Sequence, residues 1–187
     1  MGKELHGFKW IVKLSAYWFW TIGYPMAKRP RSGDIFEIPL PNGFGYGQYL
    51  LKHTDPPCYG EFVRVFRGVR SARLNDWISL NNEPEQFLTF YSLGRAVRDG
   101  AVTLVGHVDV PARLKAFPQF KSVGRFDQMP HGRIHTWIFG SGMNVTVVQD
   151  SELSAEQRQM PIREIIGHGL LIQRLETGWA HSSSFVD

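Results

Sequence analysis

The sequence predicts a mainly β protein of the α+β class: a strongly curved antiparallel sheet, or a small SH3-like barrel, with one to three short helices. Three observations carry this expectation. Asn42-Gly43 sits between two runs rich in apolar residues, and this pair suits the positive φ angles of a two-residue hairpin turn. Nineteen glycines, eleven prolines and thirteen phenylalanines in 187 residues describe many short elements joined by tight turns rather than a helical bundle. Six or seven short β-branched or aromatic segments recur along the chain, bounded by turn formers. The length suits one domain with a substantial core, and no internal repeat or low-complexity tract interrupts it.

The first hairpin covers Gly33 to Leu51. With a two-residue loop, Pro41 faces Phe44, Leu40 faces Gly45, Ile38 faces Gly47 and Phe36 faces Tyr49. That register puts Phe36, Ile38, Leu40, Tyr49 and Leu51 on one side, the expected core face, where Gly45 and Gly47 leave room for large side chains. Glu37, Pro39, Phe44, Tyr46, Gln48 and Leu50 fall on the other side, expected to be partly covered or open to a partner, with Phe44 and Tyr46 turned outward. Pro39 lacks a ladder donor, which marks the first strand as an edge or as bulged there.

Beyond the hairpin, His53 to Gly60 is a turn-rich loop and Glu61 to Phe66 returns as a third strand, making a meander. Trp77 to Leu80 is a short strand candidate. Glu83 to Leu93 is read as opening with a helical turn at Pro84, because proline suits the first helical position and Glu85 the first turn. Ala101 to Val110 is apolar and β-branched enough for another strand, whereas Ala112 to Ser122 is irregular and broken by Pro118. Thr136 to Phe139 and Asn144 to Val148 flank Gly140-Ser-Gly142 as a second hairpin. Ser151 to Arg158 reads as a helix capped by Ser151 or Ser154 and ended by Pro161. Ile162 to Gly167 then starts a further turn, and Gly169 to Ile172 is the last apolar strip.

The residues Gly-Asp-Ile-Phe-Glu-Ile-Pro-Leu-Pro-Asn-Gly-Phe-Gly-Tyr-Gly-Gln at positions 33–48 resemble the opening of the immunity protein 26 family of bacterial polymorphic-toxin systems. Val102 to His107, Phe117 to Lys121 and Trp137 to Gly140 are similar to that family's second half, so the resemblance spans about residues 30 to 148. It implies a mostly β domain that binds and neutralises a cognate toxin protein, often a nuclease, without catalysis and without a cofactor. It carries no catalytic residues over. The chain then divides into a basic, aromatic arm at 1–31, a β-rich immunity-like domain at 32–150, and a helical and strand extension at 151–187 packed on it. The arm and the extension fall outside the family pattern.

Charge and cysteine usage narrow the partners and the compartment. Residues 1–31 hold six basic side chains against one acidic, while 32–187 hold fifteen against sixteen, so the net charge of +4 belongs to the arm. A nucleic-acid-binding fold carries its excess on the fold itself, and an acidic decoy for a basic nuclease cleft carries the opposite sign; neither pattern is present. The lone Cys58 forms no internal disulfide, which fits a reducing, cytoplasmic setting. The uncharged run from Leu14 to Ala27 is 14 residues, short of the ~20 a membrane helix needs, and it shows no small-residue cleavage pattern. The arm is therefore expected to pack Tyr17, Trp18, Phe19 and Trp20 on the domain or on a second copy.

The candidate toxin-binding residues are Phe44, Tyr46 and Tyr49 together with Arg64, Arg67, Arg70 and Arg73. Aromatic and arginine side chains anchor slow-releasing interfaces. On a strand, a step of three sends successive arginines to opposite faces, so the series makes no continuous phosphate track. The alternative is an SH3-like nucleic-acid-binding domain, with the arm on phosphates and aromatics stacking on bases. A third reading is a hydrolase using His107, Asp109, His131 or His135, but Pro130 and Gly132 oppose a helix at His131 and no His-Glu-x-x-His pattern exists. Cys58 with His53 lacks an activating helix terminus. Gly43 to Gly47 has no phosphate-loop spacing, and Ser141 is a turn residue rather than a nucleophile.

Overall fold

The computed structural model describes residues 29–123, 136–141 and 144–183. The arm through residue 28, His131, His135 and Gly142 lie outside the described residues. A six-stranded mixed sheet dominates. β1 (Asp34–Leu40), β2 (Gly43–His53), β3 (Gly60–Phe66) and β4 (Glu85–Tyr91) form an antiparallel meander. β5 (Thr103–His107) pairs with β1 at one margin, and the two-residue β9 (Ile165–Ile166) runs parallel to β4 at the other. A smaller antiparallel sheet contains β6 (Lys121–Val123), β7 (Thr136–Ser141) and β8 (Asn144–Gln149). Three short helices complete the described fold: α1 (Leu93–Arg98), α2 (Ala155–Gln159) and α3 (His168–Glu176). The α+β, mainly β class is as expected; the large sheet keeps separate margins at β5 and β9 instead of pairing them into a barrel.

The first hairpin forms in a register two residues from the expected one. Leu40 pairs with Gly43, Ile38 with Gly45 and Phe36 with Gly47, so the loop is Pro41-Asn42, and Asn42 does not take a positive φ. A shift of two preserves the sides, which is why the predicted face assignment survives it. The gain is steric: Phe36, Ile38 and Leu40, the large β1 side chains of the core side, each face a glycine. A Cβ on Gly47 would lie 2.3 Å from Cζ of Phe36, and one on Gly43 would lie 2.1 Å from the carbonyl oxygen of Arg70. Pro39 lies beyond the reach of β5, which pairs only with residues 34–37, so its missing donor costs no ladder bond. β1 is thus an interior strand, and its register shift falls between Ile35 and Phe36 rather than at Pro39.

Both faces of this sheet are covered. On one, Phe36, Ile38, Tyr49, Val63, Val65, Phe87 and Tyr91 pack against Leu93 and Ala96 of α1 and Leu171 and Leu175 of α3. The opposite face, expected to be partly open, is buried by two loop clusters. Ile35, Tyr46 and Phe66 meet Leu80 and Val108, while Leu50, Phe62, Leu88 and Phe90 meet Val110, Leu114 and Phe120. The β bulge between Tyr49 and Leu51 turns Leu51 from its expected side toward this second cluster.

Three local expectations give way to packing. Glu83 to Leu93 forms no helix at Pro84, because Phe87 and Tyr91 fill one core while Leu88 and Phe90 fill the other, and only a strand serves both faces at once. Trp77 to Leu80 belongs to a 3-10 turn, Ile78–Asn82, that lowers Leu80 onto the sheet. The apolar strip at Gly169 lies within α3, where Leu171 and Leu175 make the i, i+4 contact stripe. The second hairpin forms as β7 and β8. Ser154 caps α2 by accepting from Gln157 N, while the Gln157 side chain accepts from Ser154 N.

The margin of β4 that β9 does not reach is closed by the C-terminal segment. Leu88 N donates to His181 Nε2 at 3.1 Å, and Gln86 Nε2 donates to the carbonyls of Arg174 and Trp179. Buried Lys121 ties this segment to the small sheet: Nζ donates to the carbonyls of Arg158 and His181 and lies over the Trp137 ring. Burial pulls the Lys121 ammonium down to about 8 and holds the His181 imidazole down to about 3, nearby Lys121 and Arg174 adding to the effect on His181. No helix among the described residues is long and apolar enough to cross a membrane.

Two outcomes follow from this packing. Gly47→Ala drives a methyl into the Phe36 ring and is expected to cost about 1–3 kcal/mol in urea unfolding, with Phe36→Leu restoring part of the loss in the double variant. The unfolded chain protonates His181 near its ordinary value of ~6.5, whereas the folded chain resists until about 3. This part of the stability is therefore complete above pH 6.5 and declines as pH falls, by up to about 1.4 kcal/mol per unit. Urea unfolding between pH 6.5 and 5 should show a shallower decline for His181→Gln than for the wild type.

Candidate functional site

The meander carries the arginine series from the centre of the large sheet to its surface. Arg64 lies in β3 with its side chain fully enclosed. Its Nε donates to Gln48 Oε1 at 2.8 Å, its Nη2 donates to Asn81 at 3.3 Å, and its guanidinium lies over the Phe66 ring. Burial lowers its pKa to about 10, with Glu85 opposing, so it stays charged at neutral pH. Gln48 in turn donates to the carbonyls of Gly33 and Val108. Arg64 is an internal tie, and as a partner-facing anchor it is corrected. Tyr49 is corrected likewise: it packs among the residues beneath α1 and α3, and burial with the negative charge of Glu61 raises its hydroxyl above the ordinary tyrosine range.

Past β3 the chain folds back over the hairpin. Phe44 and Arg70 exchange backbone hydrogen bonds of 2.8 and 2.9 Å, an isolated bridge that clamps the loop onto the start of β2. Gly43 is required there because the Arg70 carbonyl occupies the place a Cβ would take. Arg70 Nη2 donates to the Glu83 carboxylate, and Arg67 stands exposed with no ion pair among the described residues.

Arg73 completes the arrangement. Its Nε donates to Glu37 Oε1 at 3.1 Å while its guanidinium carbon lies 4.8 Å from the centre of the Phe44 ring. Glu37 is buried, and its second oxygen accepts from Tyr46 Oη at 3.0 Å; that hydroxyl accepts from Leu74 N at 3.2 Å. Burial raises the Tyr46 hydroxyl above the ordinary range, with Glu37 adding to the rise and the Leu74 amide opposing it. Tyr46 was expected to turn outward and instead lies 1% exposed, covered by the loop and by Trp77, whose ring centre is 5.7 Å away.

The structure therefore brings Phe44, Arg70 and Arg73 together on one surface, supported from beneath by Tyr46, while Arg67 sits at the loop's start. Val69, next to Arg70 in the chain and 39% exposed, adds apolar area beside them. Glu37 was missed as a member. Its signal was its place directly opposite Tyr46 on the same sheet side, legible only in the register shifted by two.

Of the residues considered for hydrolysis, the described pair His107 and Asp109 forms no dyad. His107 Nδ1 lies 2.9 Å from Asp34 Oδ1, not from Asp109, and Asp109 lines a separate cleft of about 370 Å³ with Lys115. Cys58 is exposed and donates to the Thr54 carbonyl, whereas the His53 ring packs on Tyr59, Phe90 and Phe117.

No family model, curated protein or solved structure matches this chain, so the resemblance rests on the segments at 33–48, 102–107, 117–121 and 137–140 alone.

Tyr46→Phe and Arg73→Ala each remove one support of the buried Glu37 carboxylate and are expected to cost about 1–2 kcal/mol of stability apiece. Because they share that carboxylate, a double-mutant cycle by urea unfolding should give a non-additive coupling of about 0.5 kcal/mol or more.

Proposed function

We propose that the chain is an immunity-type protein that neutralises a cognate toxin in the cytoplasm by non-catalytic binding, with the surface around Phe44, Arg67, Arg70 and Arg73 as the contact. The observation that carries this reading is the clamped loop at residues 67–78. It holds arginines and aromatic side chains against the sheet and presents them beside exposed Val69. Interfaces with slow release are built this way, from a few pre-oriented aromatic and arginine anchors whose ordering cost is met before binding. The similarity of residues 33–48 to immunity proteins supports the same class. On this surface nucleic acid is disfavoured because Arg70 and Arg73 are each paired with a glutamate, leaving Arg67 as the loop's one arginine without an ion pair among the described residues.

The test is calorimetric binding of the full chain to the protein encoded by the neighbouring upstream reading frame. A tight complex that blocks that protein's toxicity is expected. Phe44→Ala and Arg73→Ala should each weaken it by about 2 kcal/mol, whereas Arg95→Ala and Arg98→Ala on α1 should stay within about 0.5 kcal/mol. No complex, or unchanged affinity when Phe44, Arg67, Arg70 and Arg73 are all replaced, overturns the assignment.

A further inference from the structure

Arg73 differs from the other exposed arginines in how it is held. Its side chain is 69% exposed, comparable with Arg95 and Arg98 at 76% and 70%, yet those two pair with the exposed Asp99. Arg73 instead rests its Nε on a buried carboxylate and its guanidinium carbon over the Phe44 ring. Neither Nη atom of Arg73 donates to any group among the described residues, so the two-pronged outer edge of the guanidinium faces away from its supports. Tyr46 fixes the other oxygen of Glu37, and the Leu74 amide fixes Tyr46, so the chain of positioning groups is itself immobilised.

A carboxylate buried in this manner is a poor device for stability. Desolvating it offsets much of what the ion pair returns, and an apolar pair of the same shape serves a core at least as well. What the Glu37 carboxylate supplies that an apolar residue cannot is direction: it fixes Arg73 by one nitrogen and leaves a planar fork poised to bind a second carboxylate through two parallel hydrogen bonds.

Resting on the protein-binding reading above, we propose that Arg73 is a preoriented carboxylate receptor, and that the partner docks on this surface by presenting an aspartate or glutamate side chain to it. Glu37 and Tyr46 are positioning residues. Local charge favours one acidic side chain over a phosphate backbone: Arg70 is occupied by Glu83, Arg73 is half neutralised by Glu37, and Arg67 alone on this loop has no ion pair among the described residues. Phe44 against Arg73, with Val69 exposed on the same loop, fits the apolar surroundings of such a residue on a protein.

The test needs no identified partner. Isotope-labelled full chain is titrated with an N-acetylated, C-amidated pentaglutamate peptide while the arginine Nε–Hε resonances are followed by NMR. A saturable shift at Arg73, absent at Arg95 and Arg98, is expected. Arg73→Lys keeps a charge beside Glu37 but loses the fork, and should weaken the peptide at least fivefold. Tyr46→Phe and Glu37→Gln should weaken it similarly while the remaining spectrum stays that of the folded chain. An Arg73 signal that does not move, equal shifts at all exposed arginines, undiminished binding by Arg73→Lys, or tighter binding of pentadeoxythymidylate at Arg73 each overturns the proposal. Peptide binding at Arg73 without binding of the neighbouring frame's product overturns the immunity reading alone; the reverse overturns this inference alone.

Discussion

A guanidinium enclosed at the middle of the large sheet is the constraint around which the rest of the molecule is arranged. Arg64 has no carboxylate within ion-pair distance among the described residues, and burial lowers its pKa without discharging it. Such a group is tolerable only if its donors are met by fixed acceptors. Gln48 supplies one from the neighbouring strand, and Asn81 supplies another from the 3-10 turn above. Because Gln48 also grips the carbonyls of Gly33 and Val108, one polar chain links the hairpin, the third strand and the segment after β5. Of the three guanidinium nitrogens, Nη1 has no partner among the described residues.

That internal tie explains why the second face is covered rather than open. The loops at residues 69–82 and 108–120 bring Leu80, Val108, Val110, Leu114 and Phe120 over the sheet, excluding water from Gln48 and Arg64 while burying Tyr46, Leu50, Phe62 and Phe90. The helices do the equivalent work on the opposite face mainly with apolar contacts. The two faces therefore differ in kind: one is a conventional helix-on-sheet core, the other a loop-covered core threaded by polar ties.

The same covering loop generates the exposed surface. Its return over the hairpin places Arg70 against Phe44, and closing over Tyr46 creates the buried Glu37 to which Arg73 is tied. Rigidity at the surface is thus a by-product of how the second core is sealed. A loop with fewer backbone and side-chain ties would present the same residue types with far greater ordering cost on binding.

Local chemistry in the chain was sufficient for the strand-rich class, the second hairpin, the Ser154 cap and the two sides of the first hairpin, because each depends on neighbours within a few residues. Even the wrong hairpin register left the sides intact as far as the bulge before Leu51, since a step of two conserves pleat parity. Alternation states which residues share a side, but not whether anything covers it. That coverage came from segments tens of residues away, and it turned Tyr46 and Arg64 from surface candidates into buried ties. Glu83 to Leu93 obeyed the same rule: a helix-start signal near Pro84 yielded to two hydrophobic cores that only a strand can fill simultaneously. Residue types thus announced an aromatic and arginine-rich contact chemistry, while long-range packing selected which of those side chains face outward, because burial is a property of the whole fold and not of any window of sequence.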